Sequence, residues 1–184
     1  MYQDLSQFSV PAGFRGRSKW FVQCWWIAQT LLFKPSPQFA YGFRAWLLRR
    51  FGANVGRNTV IRPSVTITYP WKVSIGDYAW IGDNAVLYSL GEIVVGDHAV
   101  VSQGCYLCAG DHDATLENFP IRARDIRVAD QAWVASDVFV GPGVTIGRGT
   151  IVGARSSVFG DMPEGMVCFG HPCQPVRRRM PQPQ

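Results

Sequence analysis

From Val55 onward an aliphatic residue returns at every sixth position. V-G-R-N-T-V (from Val55) and I-R-P-S-V-T (Ile61) open the series, followed by I-G-D-Y-A-W (Ile75), I-G-D-N-A-V (Ile81), V-G-D-H-A-V (Val95) and V-S-Q-G-C-Y (Val101). After an interruption it resumes as V-A-D-Q-A-W (Val128), V-A-S-D-V-F (Val134), V-G-P-G-V-T (Val140), I-G-R-G-T-I (Ile146) and V-G-A-R-S-S (Val152). The second place commonly holds Gly or another small residue, and the fifth a small or β-branched one. A period of six is neither helical nor a plain alternation. It fits a short strand followed by a sharp turn, with Gly expected to supply the backbone freedom at each corner. Val55, Ile75 and Val95 are 20 apart, three sixes plus a two-residue step, and Val128 to Ile146 is an uninterrupted 18. Three sides therefore make one coil, and the pattern predicts a three-sided parallel β-solenoid. The aliphatic openers stack as interior ladders, each coil covers its neighbour's apolar face, and each end needs a cap.

Two flanks surround the repeats. Trp20 to Arg50 holds two apolar, aromatic-rich stretches divided by Lys34-Pro35-Ser36-Pro37, where prolines end any helix, so two short helices are expected. The divisions are an N-terminal flank over 1–52, a solenoid over 53–163 with an excursion at about 109–127, and a C-terminal extension over 164–184. The tail from Pro172, with Arg177 to Arg179 and a final M-P-Q-P-Q, reads as frayed. The longest apolar stretch, Trp20 to Phe33, is 14 residues and contains Gln23 and Gln29, short of the roughly 20 apolar residues that a spanning helix needs.

With 184 residues, 47% of them hydrophobic and 17% charged, the chain can bury one real core, and disorder as a whole is excluded. The five cysteines are an odd number without a leader pattern, which fits a reducing cytoplasm. The net charge of +5 comes from 15 Arg and 3 Lys against 13 acids. Arg clusters at Arg44, Arg49 and Arg50 and at Arg177 to Arg179 suit phosphate groups or an anionic membrane surface. Nucleic acid is disfavoured, because the Gly-rich middle lacks interleaved basic and aromatic residues.

The repeats resemble those of the hexapeptide-repeat acyltransferases, whose fold is a left-handed parallel β-helix. That hand is implied by the family, since general connection rules favour the opposite one. The likeness runs from about Phe51 to Pro172 and is greatest to exopolysaccharide O-acetyltransferases of the colanic acid type, through L-Y-S-L-G-E (Leu87 to Glu92), V-S-Q-G-C-Y-L-C-A-G-D-H-D (Val101 to Asp113) and V-G-A-R-S-S-V (Val152 to Val158). The resemblance implies acetyl-coenzyme A as donor and a sugar hydroxyl as acceptor. It implies a homotrimer with sites at subunit junctions, and His112 in the excursion as general base. An alcohol is a poor nucleophile at neutral pH, so a base must take its proton as it attacks the thioester. Asp111, Asp113 or Glu117 could orient the imidazole, and a backbone N–H near Ser136 is the oxyanion donor that the family pattern points to. Tyr88, Ser89, Glu92 and Gln103, on the coils before the loop, are candidate acceptor contacts. Gly141, Gly153 and Ala154 fall on matching positions for the coenzyme, and Trp133 reads as a core or cofactor-flanking aromatic. Related enzymes often place a Lys where this chain has Gly160, so Arg155, Arg177 and Arg178 are candidates for its phosphates.

Other features have plainer readings. Cys105 and Cys108 are expected to be packing residues, and no second CxxC completes a zinc site. His98 and His171 read as structural, and three histidines in separate contexts do not make a γ-type carbonic anhydrase. Acceptors other than a sugar hydroxyl, including an amine, remain open, as does a non-catalytic solenoid scaffold. The aromatic N-terminal flank can either cap the open end of the solenoid or lie peripherally at the inner face of a membrane.

Overall fold

The structure, a computed structural model, describes residues 2–180. The six-residue period folds as predicted into a parallel β-solenoid of short strands on three faces. Face A stacks Asn54–Val55, Val73–Ile75, Ile93–Val95, Ile126–Val128 and Thr145–Ile146. Face B stacks Val60–Ile61, Trp80–Ile81, Val100–Val101, Trp133–Val134 and Ile151–Val152. Face C stacks Thr66–Ile67, Val86–Tyr88, Tyr106–Cys108, Phe139–Val140 and Ser157–Val158. The register pairs opener with opener, Val55 with Ile75 with Val95 and Ile61 with Ile81 with Val101. Face C adds a third ladder, Ile67, Leu87, Leu107, Val140 and Val158, all fully buried. Apolar burial is continuous from coil to coil.

The corners differ from expectation in one respect. The left-handed backbone lies at the fourth place of the hexad, at Asn58, Tyr78, Asn84, His98, Gln131, Asp137 and Arg155 as well as at several glycines. Glycine at the second place answers a different need, the close approach of the next coil. A Cβ on Gly82 would lie 2.5 Å from the Gln103 nitrogen, and one on Gly76 would lie 2.6 Å from that of Asp97. Along the A–B corner, third-place aspartates tie coil to coil. Arg57 N–H donates to Asp77 (2.7 Å), Asp77 N–H to Asp97 (2.7 Å) and Asp97 N–H to Asp130 (3.0 Å).

All extra residues enter at the C–A corner. Two are added in each of the first two coils, the long excursion in the third, and none in the fourth. That excursion is ordered: Gly110–His112 and Ile121–Ala123 pair as an antiparallel hairpin.

At the N-terminal end, α1 (Lys19–Ala28) runs on through a wider turn, Gln29–Phe33, and α2 (Tyr41–Arg50) follows the Pro35–Pro37 break. Ser18 caps α1, its hydroxyl accepting from Phe21 N–H at 3.3 Å. The inner faces of the helices close the first coil. Trp25 Nε1 donates to Ile67 O (2.8 Å), Gln29 Oε1 accepts from Ile67 N–H (2.7 Å) and the buried Arg44 donates from Nε to Ile61 O (2.6 Å). Arg44 also donates to the carbonyls of Pro37 and Gln38, so one side chain satisfies both the open coil and the interhelical turn. Its guanidinium pKa is lowered, chiefly by burial. At the other end the tail is not frayed where it is described: Met166–Gly170 joins face B and Cys173–Arg178 pairs with it antiparallel. Residues 181–184, most of the M-P-Q-P-Q ending, lie outside the described residues.

Candidate active site

His112 ends the first strand of the excursion hairpin, and the hairpin geometry settles its neighbours. Strand alternation sends adjacent side chains to opposite faces. Asp111 and Asp113 therefore point away from the imidazole and share Arg122, at 2.8 and 3.2 Å. Arg122 also donates to the His112 carbonyl, which stiffens the strand that carries the imidazole. The Thr115 hydroxyl and N–H hold the Asp113 carboxyl below its ordinary pKa, and Asp111 beside it raises that of Arg122. Glu117 sits in the hairpin turn, where its carbonyl accepts from Asp4 N–H at 2.7 Å. None of the three expected acids orients His112.

The orienting group is the Phe119 carbonyl, 2.9 Å from His112 Nδ1. A carbonyl can only accept, so the neutral ring carries its proton on Nδ1 and leaves the Nε2 lone pair free. Phe119 adopts φ 45°, an uncommon conformation for an aromatic residue, and its ring stacks on the imidazole at 4.4 Å and 9°. The Phe8 ring also lies near the imidazole, its centroid 5.8 Å away and its plane tilted by 49°. The segment bearing Phe8 is held across the hairpin and second coil by Asp4 N–H, by Trp71 Nε1 donating to Arg15 O (2.6 Å) and by Lys72 Nζ donating to Phe14 O (2.9 Å). No motif announces the orienter, because every residue has a carbonyl. Asp111→Asn, Asp113→Asn and Glu117→Gln are each expected to keep kcat/KM within about tenfold of wild type, since none removes a contact of the His112 ring. A loss in any of them as deep as that of a His112 variant would return the orienting role to that acid.

The other candidate residues divide between two sides of the solenoid. Tyr88 lies near the C–A corner, packing against Tyr106 at 6.1 Å, and Glu92 follows that corner on face A. Ser89 is a correction: it is fully buried, its hydroxyl engaged by Tyr69 N–H (2.8 Å) and Tyr69 O (3.0 Å), and it cannot meet an acceptor. Gln103 lies at the B–C corner, where it lines a groove of about 870 Å³ with Trp80 and Trp133 along face B. Trp133 is half-exposed and donates from Nε1 to Ser102 Oγ at 3.0 Å.

Ser136, Gly153, Ala154 and Arg155 are also on the B–C corner, whereas Gly141 is buried at the C–A corner and does not share their surface. Ser136 O accepts from Arg155 N–H at 2.8 Å, and the Arg155 guanidinium lies 3.9 Å from Asp137. Among the described residues, no protein group accepts from the N–H of Asp83, Gln103, Ser136 or Ala154, so this corner presents a column of open donors where the A–B corner is filled by aspartates. In the outward row of face B, Trp80, Val100, Trp133, Ile151, Val167 and Arg177 are successive register partners. Arg177 thus shares a face with Trp133, about 14 Å away at three strand spacings. Arg178, next along the strand, points to the other side.

Burial pushes the Cys105 thiol up to about 11, and Cys108 also upward, as fits packing residues. Among the described residues no three His, Cys, Asp or Glu side chains converge as a metal site would require. His98 stacks on Tyr78 at 5.0 Å and His171 Nδ1 lies 2.8 Å from Ser157 Oγ, both away from His112.

A β-solenoid of this kind is also found in proteins of known structure. A hexapeptide-repeat acetyltransferase of Vibrio cholerae O1 biovar eltor, solved with acetyl-coenzyme A, superposes with a TM-score of 0.76 at 24% identity, over 83% of this chain and 84% of that one. A galactoside acetyltransferase solved with coenzyme A superposes with a TM-score of 0.81 at 24% identity, over 92% and 84%. No family model matches the chain. The protein named "Putative colanic acid biosynthesis acetyltransferase WcaF" of Escherichia coli (strain K12) is 57% identical over 178 residues, 97% of this chain and 98% of its own. The chain belongs to the hexapeptide-repeat acetyltransferases, in the colanic acid biosynthesis group of that relative.

Proposed function

We propose that the protein transfers the acetyl group of acetyl-coenzyme A to a sugar hydroxyl in exopolysaccharide assembly, with His112 as general base. The observation that carries this reading is the Phe119 carbonyl on His112 Nδ1, which leaves Nε2 as an oriented acceptor. Nε2 takes the hydroxyl proton as the acceptor oxygen attacks the thioester carbon, and the tetrahedral oxyanion accepts from the Ser136 N–H. Collapse breaks the carbon–sulfur bond, and the imidazolium returns its proton to the departing thiolate. The amide-bearing arm of the donor suits the open N–H column of the B–C corner, the half-exposed Trp133 suits its flank, and Arg177 suits a phosphate.

Within one solenoid the C–A corner, which carries His112, is opposite face B, which carries Trp133. One chain therefore presents two halves that face apart, and a second copy must bring its B–C corner to the first chain's hairpin. A closed ring of three satisfies this at every site. Purified protein should release free thiol from acetyl-coenzyme A only with a sugar acceptor, add one acetyl to that sugar by mass spectrometry, and scatter light as three times 20.5 kDa. An active monomer would sink the shared site, and acetylation of amines but not of sugar hydroxyls would overturn the acceptor class.

A further inference from the structure

The helical flank is apolar on both sides, and only one side closes the solenoid. In the helix Lys19–Phe33 the inner stripe of Val22, Trp25 and Phe33 is fully buried. The outer stripe carries Trp20 (82% exposed), Ile27 (57%) and Leu31 (65%), with Cys24 also exposed between them. The α2 helix repeats the division, Leu47 and Leu48 inward against Phe43 and Trp46 outward, and Phe39 stands 82% exposed before it. A cap needs the inner stripes alone. The outer ones leave more large apolar side chains exposed than soluble monomers usually show without a partner.

Charge decides which partner. No Asp or Glu occurs between Asp4 and Asp77, so the helical flank itself contributes Arg17, Lys19, Lys34, Arg49 and Arg50 and no carboxylate. The Arg50 guanidinium lies 5.5 Å over the Trp46 ring, a cation beside an amphipathic aromatic. A second copy of the same surface would set like charges against each other. At 1.5 Å per residue the helix Lys19–Phe33 is about 22 Å long, too short to cross a bilayer but suited to lying along one.

We infer that the outer faces of α1 and α2 dock the protein on an anionic lipid bilayer. Trp20, Ile27, Leu31 and Phe39 enter the boundary of headgroups and acyl chains, and the flanking cations meet anionic headgroups. The capped first coil then lies against the bilayer, and the excursion leaves the third coil only two strand spacings, about 10 Å, further out. On the acetyl-transfer reading proposed above, His112 would face an acceptor held at the membrane surface, although the docking itself does not depend on that chemistry.

Flotation of the full-length chain tests it. With phosphatidylcholine vesicles doped with phosphatidylglycerol the protein should float at least about tenfold better than with phosphatidylcholine alone, and high salt should release it. The variant Trp20→Ser/Ile27→Ser/Leu31→Ser should lose that flotation, and Lys34→Gln/Arg50→Gln, which leaves the helices apolar and intact, should weaken it several-fold. Both should keep wild-type circular dichroism and acetyl transfer to a soluble acceptor, so docking and catalysis fail separately. Wild-type protein that stays in solution overturns the inference, as does unchanged flotation of both variants. A triple variant that alters the oligomeric state in lipid-free solution would assign the face to a subunit contact instead.

Discussion

Replacing His112 with alanine is expected to lower kcat for acetyl transfer by about 10²- to 10⁴-fold, the range for loss of a positioned general base. The fold should survive. The ring is partly exposed, stacks on Phe119, lies near the tilted Phe8 ring, and makes one hydrogen bond, to the Phe119 carbonyl at the surface of the hairpin. The hairpin itself is held by its backbone ladder and by Arg122 between Asp111 and Asp113, none of which the substitution touches. Coenzyme A binding by calorimetry should be unchanged while single-turnover thiol release collapses. Turnover at the wild-type rate would remove His112 from the chemistry.

Ser136→Pro should be nearly as damaging, about 10²- to 10³-fold, for a reason confined to one N–H. Proline has no amide hydrogen, and among the described residues no protein group accepts from that of Ser136, so the substitution removes no bond of the fold. Its backbone is also compatible, since Pro63 already occupies the equivalent place at the B–C corner of the first coil. The variant should therefore melt close to wild type. Mixing it with His112→Ala gives a sharper outcome. If each site takes its base from one chain and its oxyanion donor from the next, random co-assembly of two inactive proteins restores about a quarter of the sites. A site built within one chain would recover nothing.

Much of the solenoid was legible because its signal is a repeat, written many times over. Val55, Ile61, Ile75 and Ile81 mark faces A and B by counting alone. Face C was harder to count, because Ile67 and Leu87 are followed by eight-residue steps that disguise them as ends of blocks. The corner glycines were legible as corners but not in their role. The left-handed position is filled by Tyr78, His98 or Arg155 as readily as by glycine, whereas Gly76 and Gly82 are required by the neighbouring coil, which a local reading does not contain. The excursion was found as a break in period, but its pairing into a hairpin depends on Gly110 meeting Ala123 across the gap. With it went the side to which Asp111 and Asp113 point. The Phe119 carbonyl has no side-chain signature at all. The flank was read as either cap or membrane face because the sequence does not say which aromatics turn inward. The burial of Trp25 and Phe33 beside exposed Trp20 and Leu31 makes the cap a fact without using up the outer face.

A parallel solenoid has no natural last strand. Each coil leaves a rim of unpaired N–H and C=O groups to which any extended chain, including another copy of this one, can add. On face B the strand Cys173–Arg178 occupies that rim and runs the wrong way for propagation: it pairs antiparallel to Met166–Gly170, with a register shift between Val167 and Cys168. Along its length lie Pro175, which cannot donate, and the adjacent like charges of Arg177 and Arg178. The segment expected to be a loose end is in this sense the terminator of the face B ladder.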